Sequence, residues 1–258
     1  MNYTKNIIFF ITFLFVCSST ILSQQIVTDR PDQTESSSTV DQGSIQIELG
    51  MSTQTAEDNR MKLFAGPSTL IRYGISDKVE LRIFNQYESH KLELEGGSVS
   101  TSGWSDLEVG MKIQLFKKEG INTEIAFLSH LIVPTANDEL SNRNLGTINK
   151  LSISHNLSEV FSLGYNVGYD YVNNLNSFTY SAALGFSISE KLGGYIEPFG
   201  AFYEVGFYES SFDTGLTYLI RDNFQLDVSY GFGLNNDMHY FSTGFSWNIP
   251  HLSRAKNR

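Results

Sequence analysis

From residue 43 to residue 249 apolar and polar side chains alternate in runs of about ten residues. In the first run Ile45, Ile47, Leu49 and Met51 share one parity, and Gln46, Glu48, Gly50 and Ser52 share the other. A repeat of two gives a strand with one apolar and one polar face, and it cannot form a helix face. The pattern predicts twelve strands, at 43–52, 68–75, 79–88, 106–115, 121–133, 147–157, 161–170, 178–188, 192–203, 211–220, 224–234 and 239–249. The ninth has the weakest alternation, because Pro198 removes a ladder donor and Gly193-Gly194 blurs the parity; a bulge or rim position would accommodate the proline.

The connections alternate in length. Ser76-Asp77-Lys78, Ser158-Glu159, Ser189-Glu190-Lys191 and Arg221-Asp222-Asn223 read as tight turns, whereas residues 53–67, 89–103 and 134–146 read as long polar loops. Strands adjacent in sequence, even in number and joined alternately by tight and wide connections describe an up-and-down antiparallel barrel. In bacterial outer-membrane barrels the short turns face the periplasm and the longer loops face outward. The expected architecture is therefore an all-β, multi-pass transmembrane barrel with both strand termini on the periplasmic side. Aromatic residues such as Phe161, Phe224, Trp247, Tyr169 and Phe178 fall near the run ends, as interfacial girdles do.

The first residues set the compartment. One base, Lys5, precedes the apolar run Ile7-Ile8-Phe9-Phe10-Ile11-Thr12-Phe13-Leu14-Phe15-Val16, and small polar residues follow to Ser23. This is the layout of a secretory signal peptide, and the run is too short for a helical span. Cleavage near Ser23 removes the only cysteine, Cys17, so the exported chain forms no disulfide. It also leaves 17 Lys plus Arg against 28 Asp plus Glu, a formal charge of -11. An acidic chain without basic patches argues against a nucleic-acid partner. The expected organisation is a signal at 1–23, an N-terminal periplasmic or plug segment at 24–42, a barrel at 43–250 and a tail at 251–258.

Alternation alone also fits a soluble lipid-binding barrel. The leader, the even strand count and the final strand favour the membrane barrel. Thr243-Gly244-Phe245-Ser246-Trp247-Asn248-Ile249 resembles the signal that the barrel-assembly machinery reads on terminal strands, although residues 250–258 follow it.

If the apolar parity faces outer-membrane lipid, the other parity lines a lumen. That lining holds Glu48, Arg72, Glu80, Arg82, Asp106, Glu108, Lys112, Glu124, Lys150, Asp170, Asp213 and Asp227. A charge on the lipid face costs up to about 2–4 kcal/mol at mid-membrane, so charges are confined to the inner parity. The lining either selects solutes or forms an ion-pair network that fills a narrow barrel. Acids outnumber bases eight to four in this set, which predicts a mild preference for cations. Twelve strands lie between the filled eight-stranded barrel and the open sixteen-stranded porin, so a narrow or plugged passage is expected. The plug candidate is Thr28-Asp29-Arg30-Pro31-Asp32-Gln33-Thr34-Glu35, too polar and proline-interrupted for a wall strand.

No enzymatic constellation stands out. Ser129-His130 is an adjacent Ser-His pair, as are Ser89-His90 and Ser154-His155, but strand neighbours point to opposite faces. The five histidines, His90, His130, His155, His239 and His251, show no metal-ligand spacing. No enzyme activity, cofactor or metal is expected.

Thr28-Asp29-Arg30-Pro31-Asp32-Gln33-Thr34-Glu35, followed by Gly43-Ser44-Ile45-Gln46-Ile47-Glu48, resembles the start of the transporter-like outer-membrane proteins grouped as the phenol-degradation meta-pathway family. Further matches are Arg72-Tyr73-Gly74-Ile75-Ser76-Asp77-Lys78-Val79-Glu80-Leu81-Arg82, Ser105-Asp106-Leu107, Val133-Pro134-Thr135 and Phe161-Ser162-Leu163-Gly164-Tyr165-Asn166. Ser37 and Asp41 stand where the family pattern has proline, and Ala136 where it has glycine. The resemblance implies passive movement of small solutes, apolar or aromatic ones included, across the outer membrane. The alternative is a non-transporting structural or surface-binding barrel.

Overall fold

The structure, a computed structural model, describes residues 25–251. The signal-peptide reading of residues 1–23, and the tail beyond residue 251, lie outside the described residues. The strands are β1 (Ile45–Ala56), β2 (Met61–Ser76), β3 (Val79–Leu94), β4 (Gly97–Trp104), β5 (Leu107–Lys117), β6 (Thr123–Val133) and β7 (Gly146–Asn156). They continue with β8 (Phe161–Val172), β9 (Leu175–Ser187), β10 (Leu192–Tyr203), β11 (Tyr208–Arg221), β12 (Phe224–Gly233) and β13 (Met238–Ile249). All neighbours pair antiparallel, and β1 is hydrogen-bonded on both sides, with Ile45 opposite Ile249 of β13 and Tyr73 of β2. The sheet is closed, which leaves no edge to satisfy in lipid.

Thirteen strands make a twelve-position wall. β3 pairs with β5 from Val79↔Ile113 to Phe84↔Glu108 and then with β4 from Tyr87↔Trp104 to Leu94↔Gly97. β4 and β5 are thus one wall position interrupted at Ser105-Asp106, where the Ser105 amide still donates to the Gln86 carbonyl at 2.8 Å.

The loop expectation needs correction. Residues 53–67 and 89–103 are largely strand, because β1, β2, β3 and β4 run on past the rest of the barrel and turn only at 57–60 and 95–96. Their sequences look like loops because they are polar on the outward face and carry a bulge between Ala65 and Ser68 at Pro67, which breaks the parity. Residues 134–145 do form a long connection. The other turns at this end are short, such as Asn173-Asn174, whose φ values of 52° and 62° suit the two-residue hairpin. The two ends therefore differ by strand overhang and by one loop rather than by loop length throughout.

Pro198 is accommodated inside the wall. It stays opposite Phe212 of β11, while the ladder to β9 lapses at Glu197 and Pro198 and resumes in the same register at Phe199↔Ser181.

Burial is inverted relative to a water-soluble protein. The largest fully buried side chains include Arg72, Arg82, Lys112, Gln46, Glu48, Glu80, Glu197 and Asp213. Ile71, Leu81, Ile83, Met111, Phe127, Leu131, Leu216 and Leu226 are exposed on the outer face. Such an exterior is stable only against hydrocarbon, and charged residues facing inward avoid the lipid-facing penalty. Both ends of the described chain lie with the tight turns: the Ile26 amide donates to Asp222, and the His251 amide donates to Ser44 Oγ. By the usual topology of such barrels this is the periplasmic end.

Candidate functional site

Residues 25–42 rise from the periplasmic end into the lumen and return, forming no strand of their own. Proline and consecutive small polar residues suit this path, since the backbone is satisfied by the wall's side chains instead of a ladder. The Asp29 amide donates to Glu48, the Gln33 amide to Glu197 at 2.7 Å, the Glu35 amide to Asn166 at 2.7 Å and the Val40 amide to Glu80 at 2.8 Å.

The wall under one side of this segment is basic. Arg72 and Arg82 sit directly opposite each other on β2 and β3, and Lys112 of β5 is opposite Glu80. Like charges facing across strands repel. Anions relieve this: Arg72 Nε and Arg82 Nη1 each donate to Glu80 Oε1 at 2.9 Å, and Arg72 Nη1 donates to Glu48 Oε1 at 2.9 Å. The segment supplies the rest, with Arg82 reaching Asp29 at 2.6 Å and Glu35 at 2.8 Å, and Lys112 reaching Asp29 at 3.0 Å. Without residues 29–35 three buried cations would share two wall carboxylates.

The opposite wall is acidic and the segment answers with a base. Arg30 Nη2 donates to Asp227 at 2.8 Å and to Ser242 at 3.1 Å. Its guanidinium lies across Gly50 and Gly244, paired partners on β1 and β13, where a Cβ would occupy the same space. Glu197 and Asp213 face each other across β10 and β11; Thr34 Oγ1 donates to Glu197 at 2.5 Å and Tyr240 donates to Asp213. Asp32 faces this acidic side.

The other inner-parity residues separate into several roles. His130 accepts from Arg82 Nε at 2.9 Å across Gly110, whose missing side chain leaves the gap open, and its Nδ1–H donates to Glu108 at 2.8 Å. Glu124 accepts from Ser38 and Gln114 near the periplasmic end. Asp170 accepts from the Asn149 amide at 3.1 Å, and with Lys150 it borders a cavity toward the outer end. Asp106 does not line the passage: it accepts from the amides of Thr135, Ala136 and Asn142 and so clamps the 134–145 connection. Ser129 bonds Asn149 on the outer face, away from His130.

Sequence reasoning did not single out Glu197, Tyr195 and Tyr240, nor the glycines under Arg30. Glu197 was hidden by Pro198 and the glycine pair, which obscured the parity of β10. The glycines carry no chemistry of their own and are found only through the side chain that crosses them.

The lumen is divided. Toward the outer end lie cavities of about 540 Å³ and 730 Å³ that share Gln33, Gln54, Lys150, Phe199 and Met238. Toward the periplasm lie cavities of about 380 Å³ and 400 Å³. Arg30, Pro31 and Asp32 border both the 540 Å³ outer cavity and the 400 Å³ inner one. That short turn lies between them. Among the described residues no cluster of His, Cys, Asp and Glu has metal-binding geometry.

A closed twelve-position barrel with an apolar exterior and a charged, threaded interior is an outer-membrane β-barrel. The family model described as "Putative MetA-pathway of phenol degradation" matches residues 28–249, and the chain belongs to that family. Among solved structures it is similar to an outer membrane channel from Pseudomonas putida F1, at 12% identity and TM-score 0.62, covering 82% of this chain and 97% of that one. It is also similar to the KdgM porin in complex with disordered oligogalacturonate, at 12% identity and TM-score 0.56, with 78% and 98% covered. The beta domain of the Bordetella autotransporter Brka matches at 12% identity and TM-score 0.52, with 81% and 100% covered. These likenesses establish the fold; porin and autotransporter share it, so cargo must be argued from the site. No curated protein matches.

Proposed function

We propose that this protein is a passive outer-membrane channel for small solutes, apolar or aromatic ones included, in which residues 24–42 act as an internal plug and the Arg30-Pro31-Asp32 turn as its thinnest barrier. The observation that carries this reading is the pair of cavities on either side of that turn, which make a nearly continuous lumen. Leu70, Phe84, Leu128, Ile148, Phe199 and Met238 line the outer cavity beside Lys150 and Glu108, a mixed surface suited to a solute with an apolar body and a polar group. The pore lining in this reading comprises Glu48, Arg72, Glu80, Arg82, Glu108, Lys112, Glu124, Asp170 and Asp227. Residues 1–23 serve as the export signal, and β13 is the strand read during barrel assembly. A barrel that only binds at its surface has no use for cavities reaching both ends.

Liposome swelling with arabinose tests the channel reading. Purified protein is expected to admit the sugar slowly, and a variant lacking residues 24–42 to admit it faster. Absence of passage in both forms, with both folded by heat-dependent gel mobility, would overturn the proposal.

A further inference from the structure

The overhang reverses the face pattern of the wall below it. On the membrane-embedded part of β3 the outward residues are Leu81 and Ile83, and the inward ones are Glu80 and Arg82. Tyr87 and Trp104 meet edge to face at 5.8 Å on the outward side, where an interfacial aromatic pair belongs. Beyond them the outward residues are Ser89, Lys91 and Glu93 on β3, Ser98, Ser100 and Ser102 on β4, and Lys62 on β2, with Phe64 the one large apolar residue among them, opposite Ser89 next to the aromatic pair. By register, the inward face carries Met61 opposite Leu92, Leu92 opposite Val99, and Leu63 opposite His90. Above the membrane the polar face has moved outside and the apolar face inside.

The outward polarity is what water requires. The inward apolarity is not, because nothing in the described chain fully covers it: Met61, Leu92, Leu94 and Val99 are 40%, 37%, 53% and 61% exposed. The patch extends over roughly 13 Å of strand, from the level of Leu63 and His90 to Leu94, at a rise of about 3.3 Å per residue. Two features indicate what it meets. It is continuous with the lumen, since Met61, Ala56 and Met238 also line the 730 Å³ outer cavity, and Leu70 and Phe84 continue the same face downward. It is also bordered by the 134–145 connection, where Thr101 bonds Glu139 and Leu140 lies beside Gly103. The opposite surface is the polar one that faces water, and a second barrel in the same membrane would have to reach over the mouth to touch this one.

We propose that the inner face of the overhang, formed by Met61, Leu63, Leu92, Leu94 and Val99, is a capture site for small solutes with an apolar body, delivering them to the outer cavity. This rests on the channel reading and adds the site and the class of solute bound first. Apolar contact gives affinity without orientation, as a step preceding a narrower, polar passage requires.

The test uses 4-nitrobenzyl alcohol, a tryptophan quencher, on full-length protein in detergent, with the two native tryptophans, Trp104 and Trp247, replaced by Phe. Leu92→Trp places a reporter on the inner face, and Lys91→Trp places one at the same height on the outer face. Saturable quenching is expected for L92W only. Replacing Met61 and Val99 by Ser in the L92W background is expected to weaken it about tenfold, the loss of part of two apolar side chains. Equal quenching of L92W and K91W means partition into the micelle and overturns the proposal. So does a dimer, seen by sedimentation, that shields the inner reporter. Absence of saturable quenching while arabinose still passes in the swelling assay overturns the capture site and leaves the channel standing; failure of arabinose passage as well removes the channel reading itself.

Discussion

Arg72 shows why residue type and position must be read together. Its guanidinium is 1% exposed and contacts Glu48, Glu80 and Asp29, with Nη2 also donating to the Ser38 carbonyl at 3.0 Å. Removing one member of such a network leaves carboxylates desolvated and uncompensated, a cost of about 3–5 kcal/mol, whereas an exposed pair contributes ~0–1 kcal/mol. Arg72→Met is therefore expected to lower the urea midpoint of the detergent-folded barrel strongly. Lys62→Ala, which removes an exposed 3.9 Å pair with Glu93, should leave the midpoint within about 0.5 kcal/mol of wild type. Equal midpoints for the two variants would mean that the buried cluster is not sustaining the fold.

At the scale of elements, the N-terminal segment is held by charge on two walls and by a groove of missing side chains under Arg30. Gly50→Ala puts a methyl group where only the guanidinium lies and displaces it from Asp227. Loss of a charge-assisted hydrogen bond of ~1.5–3 kcal/mol should open the segment at least about tenfold more often. Ser37→Cys, at a position 2% exposed, reports this through labelling by an impermeant maleimide. Faster labelling at an unchanged barrel midpoint is the expected outcome; unchanged labelling would show that Arg30 does not hold the segment. Strands were legible in the sequence because a period of two survives wherever one face meets lipid, and the inward charges followed from that parity. The overhangs were not, because they have left the membrane and their apolar face changes sides across a bulge. Asp106 was misassigned for a related reason: parity gives a side chain's face but not whether a loop folds over it. The plug was visible as a segment unfit for the wall, but its partners lie up to 212 positions away in sequence and required the closed barrel to be seen.

For the whole molecule, the decisive quantity is the charge left to meet a solute once the internal pairs are formed. Arg72, Arg82 and Lys112 are consumed by Asp29, Glu35, Glu48 and Glu80, and Arg30 by Asp227. Glu108 and Asp170 then border the cavities against Lys150. A lumen with low-dielectric walls focuses such a field, so the sign of the unpaired residues sets the preference. In a planar bilayer under a potassium chloride gradient the reversal potential is expected to shift toward the potassium equilibrium value. Glu108→Gln with Asp170→Asn should reduce that shift, and high salt should weaken it in both proteins because exposed charges are screened within about 10 Å at 0.1 M. A reversal potential on the chloride side in the unmodified protein would show that the paired cations, and not the residual acids, face the permeating ion.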